Sequence, residues 1–528
     1  MRLHEIHINN FKFFPQQKKD SPLLKIDGNN LLIYGENGSG KSTIFWALYT
    51  LFENAFKINE FEIEKYFVKS SEFSLVNIYA RNNQITNIKI VLKDGANKVE
   101  YEVNNNIHQI VSNLRNSSLR EIGMASDFIN YRVIFRLHQI KHSNENDLFG
   151  WFKDEIFPYI LIADIDSTKS VDIVYKEISN GPSKVKSFDL VDTFVYPNST
   201  MESHSHQVVK NQFKKYKKYK NTVKKWNTKL EKYLKTINLR ANDILLKDFN
   251  LEFEIKLIYK PSTFTISDNN FEWVEPKIEL KIPKYNGKRN VIKKPHTFLN
   301  EAKWTSIALA LRFAIIEDWT NRPSQALLKV LVIDDMLLSL DMGNRDTVLN
   351  ILLDRVVDDY QLILMTHDRY FYEMTKIKIG RKGKMSDWLK LEMYEDTEIN
   401  TNKRVPIIIA EKGKLSKAWG LFKSKDFASS ANMLRQASEK LCRTYLSPQE
   451  QLGGDYKLLN LNGLLERLIS KATEAGITIN LIKDLLDYKN NIMNPSSHYD
   501  IEYPLFENEL KKALDTLDNI SKEMNIEL

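Results

Sequence analysis

Apolar and polar positions change their spacing several times along the 528 residues, and each change marks an element. Leu31-Leu32-Ile33-Tyr34 is a short continuous apolar run that stops at Gly35, which predicts a buried strand entering a glycine turn. Ile44–Phe52 then places apolar side chains at helical spacing. Ser74–Ala80 and Asn87–Leu92 alternate apolar with polar residues and predict strands of a sheet-rich lobe. Residues 127–165 are mixed, with an aromatic-rich helix around Leu148–Phe152. Strand patterns return at Leu251–Tyr259 and Lys277–Ile282, a helix is predicted over Ser306–Ile316, and Val330–Ile333 and Gln361–Met365 read as buried strands. From residue 415 onward the chain reads as helix only, over Ala418–Lys425, Phe427–Tyr445, Leu461–Ala475, Ile479–Ile492 and Leu505–Met524.

One stretch keeps a different period. Val223, Trp226, Leu230, Tyr233 and Ile237 are spaced 3, 4, 3, 4, a heptad seam that slips once where it extends back to Phe213, Tyr216 and Tyr219. It predicts a short helical arm of coiled-coil type, about 50 Å long at 1.5 Å per residue. Charge singles out the same stretch. The whole chain carries +8, yet Lys210–Arg240 holds eleven lysines and one arginine against Glu231 alone, a local +11 that leaves −3 for the rest. Two readings of the arm stay open: lysines that contact a phosphate backbone, with interleaved aromatics, or a packed seam with a merely solvated outer face.

Composition narrows the class. The length implies roughly two to four domains, and 42% hydrophobic with 11% aromatic residues excludes wholesale disorder. Cys442 is the single cysteine, so a disulfide scaffold, a zinc-finger array and a zinc hook at the arm tip are excluded. The N-terminus has no apolar leader core and no run approaches 18 apolar residues, so a soluble cytoplasmic protein without membrane association is expected.

The glycine turn carries the first chemistry. Gly35-Glu36-Asn37-Gly38-Ser39-Gly40-Lys41-Ser42-Thr43 is a complete phosphate-loop pattern in the strand–loop–helix context it requires. Backbone N–H groups of the glycine segment approach phosphates, Lys41 reaches β/γ oxygens, and the Ser42 hydroxyl can ligate Mg²⁺, which makes ATP and Mg²⁺ the expected cofactors. The run Val330–Ile333 delivers Asp334 and Asp335 to a strand end. Asp334 is the expected metal-side carboxylate, and Asp335 stands where a general base would align water.

Ser339-Leu340-Asp341, the strand-closing Met365-Thr366-His367-Asp368, Leu299-Asn300-Glu301-Ala302-Lys303 before a helix, and the opening Ile8-Asn-Asn-Phe11-Lys12 occur in order with the loop. Over roughly residues 1–400 this resembles the ABC-type ATPases of the SMC and RecF kind. The resemblance implies an α/β head, a mixed sheet with flanking helices, that dimerises around two ATP molecules. Each nucleotide would lie between one subunit's phosphate loop and the other's signature segment, with Asn300 and Asp341 at the seam. His367 would sense the γ-phosphate and Gln139 would contact metal and water. The chain departs from the family twice. Leu-Asn-Glu-Ala-Lys replaces the usual Leu-Ser-Gly-Gly-Gln, placing Glu301 near phosphate with Lys303 as the nearby cation. Asp335 replaces a glutamate, and a base misplaced by about 1 Å costs on the order of a hundredfold in rate. Slow hydrolysis is expected, suited to a switch.

Arg435 and Glu439 lie at i and i+4 on one helix, and Asn494-Pro495 ends a later helix just before His498. Arg-x3-Glu with a later histidine resembles the HEPN superfamily, in particular anticodon nucleases fused to an ABC-type ATPase. It implies acid–base chemistry by His498 at a ribose 2′-OH and charge stabilisation by Arg435. Here Asn491 precedes His498 by seven positions, where the family carries an arginine four to six before it. A live RNase and a structural or docking bundle both stay open.

The expected organisation is an N-terminal lobe of the head over 1–200, the basic arm over 201–248, the C-terminal lobe over 249–404 and an all-helical, HEPN-like bundle over 405–528. The favoured function is an antiviral-defence ATPase that dimerises, or assembles further, through its heads. It would gate a nuclease, either its own helical domain or a separate effector subunit, with DNA or tRNA as nucleic-acid partner. The competing reading is a DNA repair or chromosome-maintenance ATPase without nuclease activity. A transporter subunit is disfavoured by the long insertion after Ser42 and the helical extension.

Overall fold

A computed structural model describes the chain apart from residues 18–20, 58, 82–83, 107–115, 131, 133–146, 163, 182–206, 268–269, 286, 290–291, 293, 319–324, 336–341, 399–402, 411–412, 476–478, 494–506, 525 and 527. Two compact units result, Met1–Ile409 and Ala410–Leu528.

In the first unit, strands β1 (Arg2–Asn9), β2 (Leu24–Lys25), β4 (Asn87–Asp94) and β5 (Asn97–Asn104) form an antiparallel sheet in the order β2-β1-β4-β5. The main sheet has six strands: β16 (Lys403–Ala410), β15 (Trp388–Glu398), β3 (Asn30–Gly35), β14 (Gln361–Thr366), β13 (Val330–Asp334) and β6 (Asp127–Asn130), in that order. Every pairing from β15 to β6 is parallel. Small hairpins complete the strands: β7 (Leu161–Ile162) with β8 (Asp166–Ser170), β9 (Phe253–Lys260) with β12 (Lys277–Tyr285), and β10 (Thr263–Ser267) with β11 (Asn270–Val274).

Strand alternation divides the head into two cores. Leu32, Leu331, Ile333, Leu362 and Leu364 point into one, with the helix Glu301–Ile316. Leu31, Ile33, Val330, Val332, Ile363 and Met365 point into the other, with the helix Lys41–Asn54 and the antiparallel sheet. A parallel sheet buried on both faces needs apolar residues at both parities, which is why these strands are continuous apolar runs. Gln361, buried at the start of β14, staples the edge: it accepts from Leu3 N (2.7 Å) and donates to the carbonyls of Leu3 (3.0 Å) and Asn29 (2.6 Å).

Two expectations change. Ser74–Ala80 is not a strand, because its own polar side chains take the partners a ladder would need. Val76 N donates to Ser74 Oγ (3.3 Å), Tyr79 N donates to Asn77 Oδ1 (2.9 Å), and Asn77 Nδ2 reaches the Lys12 carbonyl (2.8 Å). The lysine-rich stretch is a 41-residue helix, Gln207–Lys247. Its seam does not close a coiled coil over the residues whose side chains are described: Val223, Trp226, Leu230, Tyr233 and Ile237 are all buried in the head core, with Ile307 and Leu311 of the helix Glu301–Ile316. Trp226 Nε1 donates to the Val171 carbonyl (3.1 Å), and Asn242 exchanges two bonds with Ile255 on β9 (2.8 and 2.9 Å). Lys217, Lys218, Lys220, Lys224, Lys225, Lys232 and Lys235 face solvent.

The second unit holds helices Lys414–Lys423, Phe427–Tyr445, Leu461–Ala475, Ile479–Tyr488 and Glu507–Glu523, with a π-helical turn over Lys489–Met493. Their apolar stripes, including Leu434, Leu441, Leu468, Leu485 and Leu514, close a core of their own. Among the described residues no helix is long and apolar enough to cross a membrane.

Candidate functional site

The phosphate loop is shaped by close backbone contact. A Cβ on Gly35 would stand 2.7 Å from the Met393 carbonyl oxygen on β15, and one on Gly40 would stand 2.8 Å from the Phe13 ring. Gly38 and Gly40 also hold left-handed φ angles of 93° and 99°. Asn37 and Ser42 are exposed, whereas Ser39 and Thr43 are buried beneath the turn. Lys41 is buried, and its Nζ donates to the carbonyls of Gly35 (2.5 Å) and Glu36 (3.0 Å). Burial pushes the ammonium pKa down, while Asp335, Asp334 and Glu36 push it back up.

Strand parity places Asp334 opposite that loop. It follows Val330 and Val332 on the face covered by the helix Lys41–Asn54, and its carboxylate accepts a hydrogen bond from the Ser42 side chain. Among the described residues, Oδ1 of the same carboxylate is buried with no hydrogen-bond partner. Burial raises the Asp334 pKa to about 6, Asp335 adds repulsion, and Ser42, Lys41 and His367 oppose the shift. An unmatched buried carboxylate oxygen beside a hydroxyl is the donor set of a hard divalent cation, so Asp334 and Ser42 fit Mg²⁺.

Asp335 leaves the strand with a left-handed φ of 46°. That turn points it across β14: Asp335 N donates to the Met365 carbonyl (3.1 Å), and Asp335 Oδ1 accepts from His367 N (2.8 Å). The same oxygen lies 2.9 Å from His367 Nδ1, close in distance without the alignment of a hydrogen bond. The two side chains expected to face a γ-phosphate are therefore held together through the His367 backbone N–H.

Asn300 is exposed and caps the helix Glu301–Ile316, accepting from Lys303 N (3.0 Å). Glu301 is exposed beside it, and Lys303 turns away to the Tyr285 hydroxyl (2.8 Å). The cation expected to offset Glu301 is thus engaged with a neutral phenol. Gln139, Asp341 and His498 lie outside the described residues. Arg435 and Glu439 lie 3.8 Å apart at partly exposed positions on one helix. Arg345, not singled out by sequence, forms an ion pair with Asp368, the last residue of the strand-closing motif, beside His367. Only the capping role of Asp368, accepting from Phe371 N (3.0 Å) at a helix start, has a readable signal.

Residues 2–383 match the RecF/RecN/SMC N terminal domain family. No curated protein matches the chain. Among solved structures, the crystal structure of an SMC head bound to the C-winged helix domain of ScpA aligns at 13% identity and TM-score 0.41, covering 78% of this chain and 98% of that one. The recombination mediator RecF with ATP, of the RecFOR pathway, aligns at 14% identity and TM-score 0.42, covering 78% and 97%.

Proposed function

The chain belongs to the RecF/RecN/SMC N-terminal domain family, and on that premise we propose that it is an ATP-binding, slowly hydrolysing switch whose heads pair around nucleotide. The observation that carries this reading is the buried, unmatched Asp334 oxygen facing Ser42 and Lys41 at one strand end. In this reading the loop N–H groups and Lys41 bind the phosphates, Lys41 exchanging its carbonyl partners for phosphate oxygens. Ser42 and Asp334 hold Mg²⁺, which when bound neutralises phosphate charge. Asp335 takes the proton of the attacking water and His367 orients the γ-phosphate side of the site. Asn300 and Asp341 belong to the composite site of a homodimer or higher assembly, reached from the second head.

Slow turnover follows from the site itself. Asp335 stands one methylene short of a glutamate's reach toward the attacking water. The expected result is a dimer that forms with Mg·ATP in an Asp335→Asn variant and disperses without nucleotide, read by light scattering. A variant that stays monomeric at saturating Mg·ATP, or a wild type with no ATPase activity, overturns the switch.

We place the switch in antiviral defence, gating a nuclease that is its own helical unit or a separate subunit. The support is the fusion of a degenerate signature segment to a helical bundle bearing Arg435 and Glu439. The second reading, a DNA repair or chromosome-maintenance ATPase without nuclease, draws on the exposed lysine face of the helix Gln207–Lys247. Phage challenge of cells expressing intact protein, Lys41→Ala or His498→Ala separates them. Protection lost in both variants favours defence with an internal RNase, loss in Lys41→Ala alone favours a separate effector, and no protection favours maintenance.

A further inference from the structure

Two helices flank the Asp335–His367 pair: Met342–Ile351, continued by a π-helical turn over Leu352–Val356, and Arg369–Arg381. Four ion pairs join this segment and its neighbours: Arg345 to Asp368, Lys378 to Asp346 (2.8 Å), Lys382 to Asp354, and Lys384 to Asp358 (2.9 Å). They differ in burial. The Arg345 side chain is 15% exposed, whereas Lys384 is 36% exposed and its Asp358 partner 73%. Exposed pairs of the second kind contribute about 0–1 kcal/mol and act as rivets.

The first pair has a different address. Asp368 follows His367 directly, and its two carboxylate oxygens have separate tasks: Oδ1 caps the helix by accepting from Phe371 N, and Oδ2 takes Arg345. Asp368 N in turn donates to Thr366 Oγ1 (3.1 Å). The backbone on the C-terminal side of His367 is therefore clamped, and His367 N is the group that donates to Asp335 Oδ1. Asp335, Arg345, His367 and Asp368 line one cavity together with apolar residues that include Leu352 and Phe371. Asp335 holds a left-handed φ, a backbone state that a non-glycine residue keeps only when its surroundings over-determine it.

We propose that Arg345 is a positioning residue for ATP hydrolysis: through Asp368 it fixes the backbone of His367 and hence the aim of the Asp335 carboxylate at water. This rests on the reading of Asp335 and His367 given above. Because the Arg345 guanidinium is paired with Asp368, the role assigned to it is in turnover, and an unchanged nucleotide affinity is the expectation. A loosened clamp misplaces the base by a fraction of an ångström to about 1 Å, a displacement worth on the order of tenfold to a hundredfold in rate.

The test is steady-state ATPase kinetics with nucleotide affinity measured separately, using a fluorescent ATP analogue. Arg345→Met removes the charge and keeps the bulk. Asp368→Asn keeps the capping oxygen and removes the charged partner. Each is expected to lower kcat at least tenfold with Kd within twofold of wild type. The double variant should be no slower than the slower single, since both break one pair. Arg345→Lys should restore part of kcat, and Lys384→Ala, on the outermost ion pair, should leave it unchanged. Wild-type kcat in Arg345→Met, multiplying losses in the double variant, or an equal loss in Lys384→Ala overturns the positioning role while the ATPase reading stands. A wild type without Lys41-dependent turnover overturns that reading, and this role with it.

Discussion

In the head, Lys41, Asp334, Asp335 and His367 come from the ends of three neighbouring parallel strands and meet although up to 326 positions separate them. In the helical unit, Arg435 and Glu439 come from one turn of one helix, 3.8 Å apart and partly exposed. The first arrangement exists only when the sheet is complete, and it leaves a buried carboxylate oxygen without a hydrogen-bond partner among the described residues. The second exists in any isolated helix of that sequence. Convergence across elements, together with a polar group the fold itself does not satisfy, is the stronger mark of built chemistry. An i,i+4 ion pair adds roughly 0.3–0.5 kcal/mol and no geometry of its own.

Substitutions can break or sharpen that contrast. The largest effect is expected from Lys41→Ala, which should lower ATP affinity more than a hundredfold in equilibrium binding and leave the far-UV dichroism of the helical unit unchanged. Retained affinity would remove the phosphate loop from the site. A smaller effect, of opposite sign, is expected on stability. Because burial raises the Asp334 carboxyl to about 6, above its ordinary value, the folded state holds that proton more tightly than the unfolded chain. The associated stability is present at low pH and is lost as pH rises through about 6. Asp334→Asn should therefore melt a few degrees above wild type at pH 7.5 in nucleotide-free, metal-free protein, with the gap narrowing towards pH 4. Mg²⁺ should raise the melting temperature of wild type and not of the variant. A variant that melts below wild type at pH 7.5 would show that the carboxylate is satisfied after all. The smallest effect belongs to Arg435→Ala, expected to change stability by less than about 1 kcal/mol in denaturant unfolding. Loss of RNA cleavage in that variant, with stability intact, would raise the pair from surface ornament to working site and erase the contrast.

What could be read from sequence follows the same division. The phosphate loop is legible because its chemistry requires glycine, lysine and hydroxyl within nine consecutive residues, Gly35–Thr43. The strands β3, β13 and β14 are legible because burial on both faces demands continuous apolar runs. The five long helices of the second unit are legible from their apolar stripes to within a few residues at each end. Ser74–Ala80 misleads because Ser74 and Asn77 satisfy the backbone locally, and alternation alone does not report that. The seam from Val223 to Ile237 misleads for another reason: a heptad face looks the same whether it meets a second helix or the wall of a core. The pairing of Arg345 with Asp368 was out of reach because a residue on one helix and the cap of another sit 23 positions apart, and charge at that spacing carries no period.

The strand order has a consequence for synthesis. Among the described residues, strand β3, which carries the phosphate loop, pairs with β14 and β15, so its neighbours begin at Gln361 and Trp388. A growing chain presents Leu31, Leu32 and Ile33 more than 320 residues before either partner leaves the ribosome. At about 5–20 residues per second the wait is roughly 15–70 s. Throughout it an apolar strand with two open edges must be kept from pairing elsewhere. The nucleotide pocket therefore cannot be completed before Gln361–Thr366 has been synthesised, and nascent chains truncated before residue 361 should depend on chaperones to stay soluble.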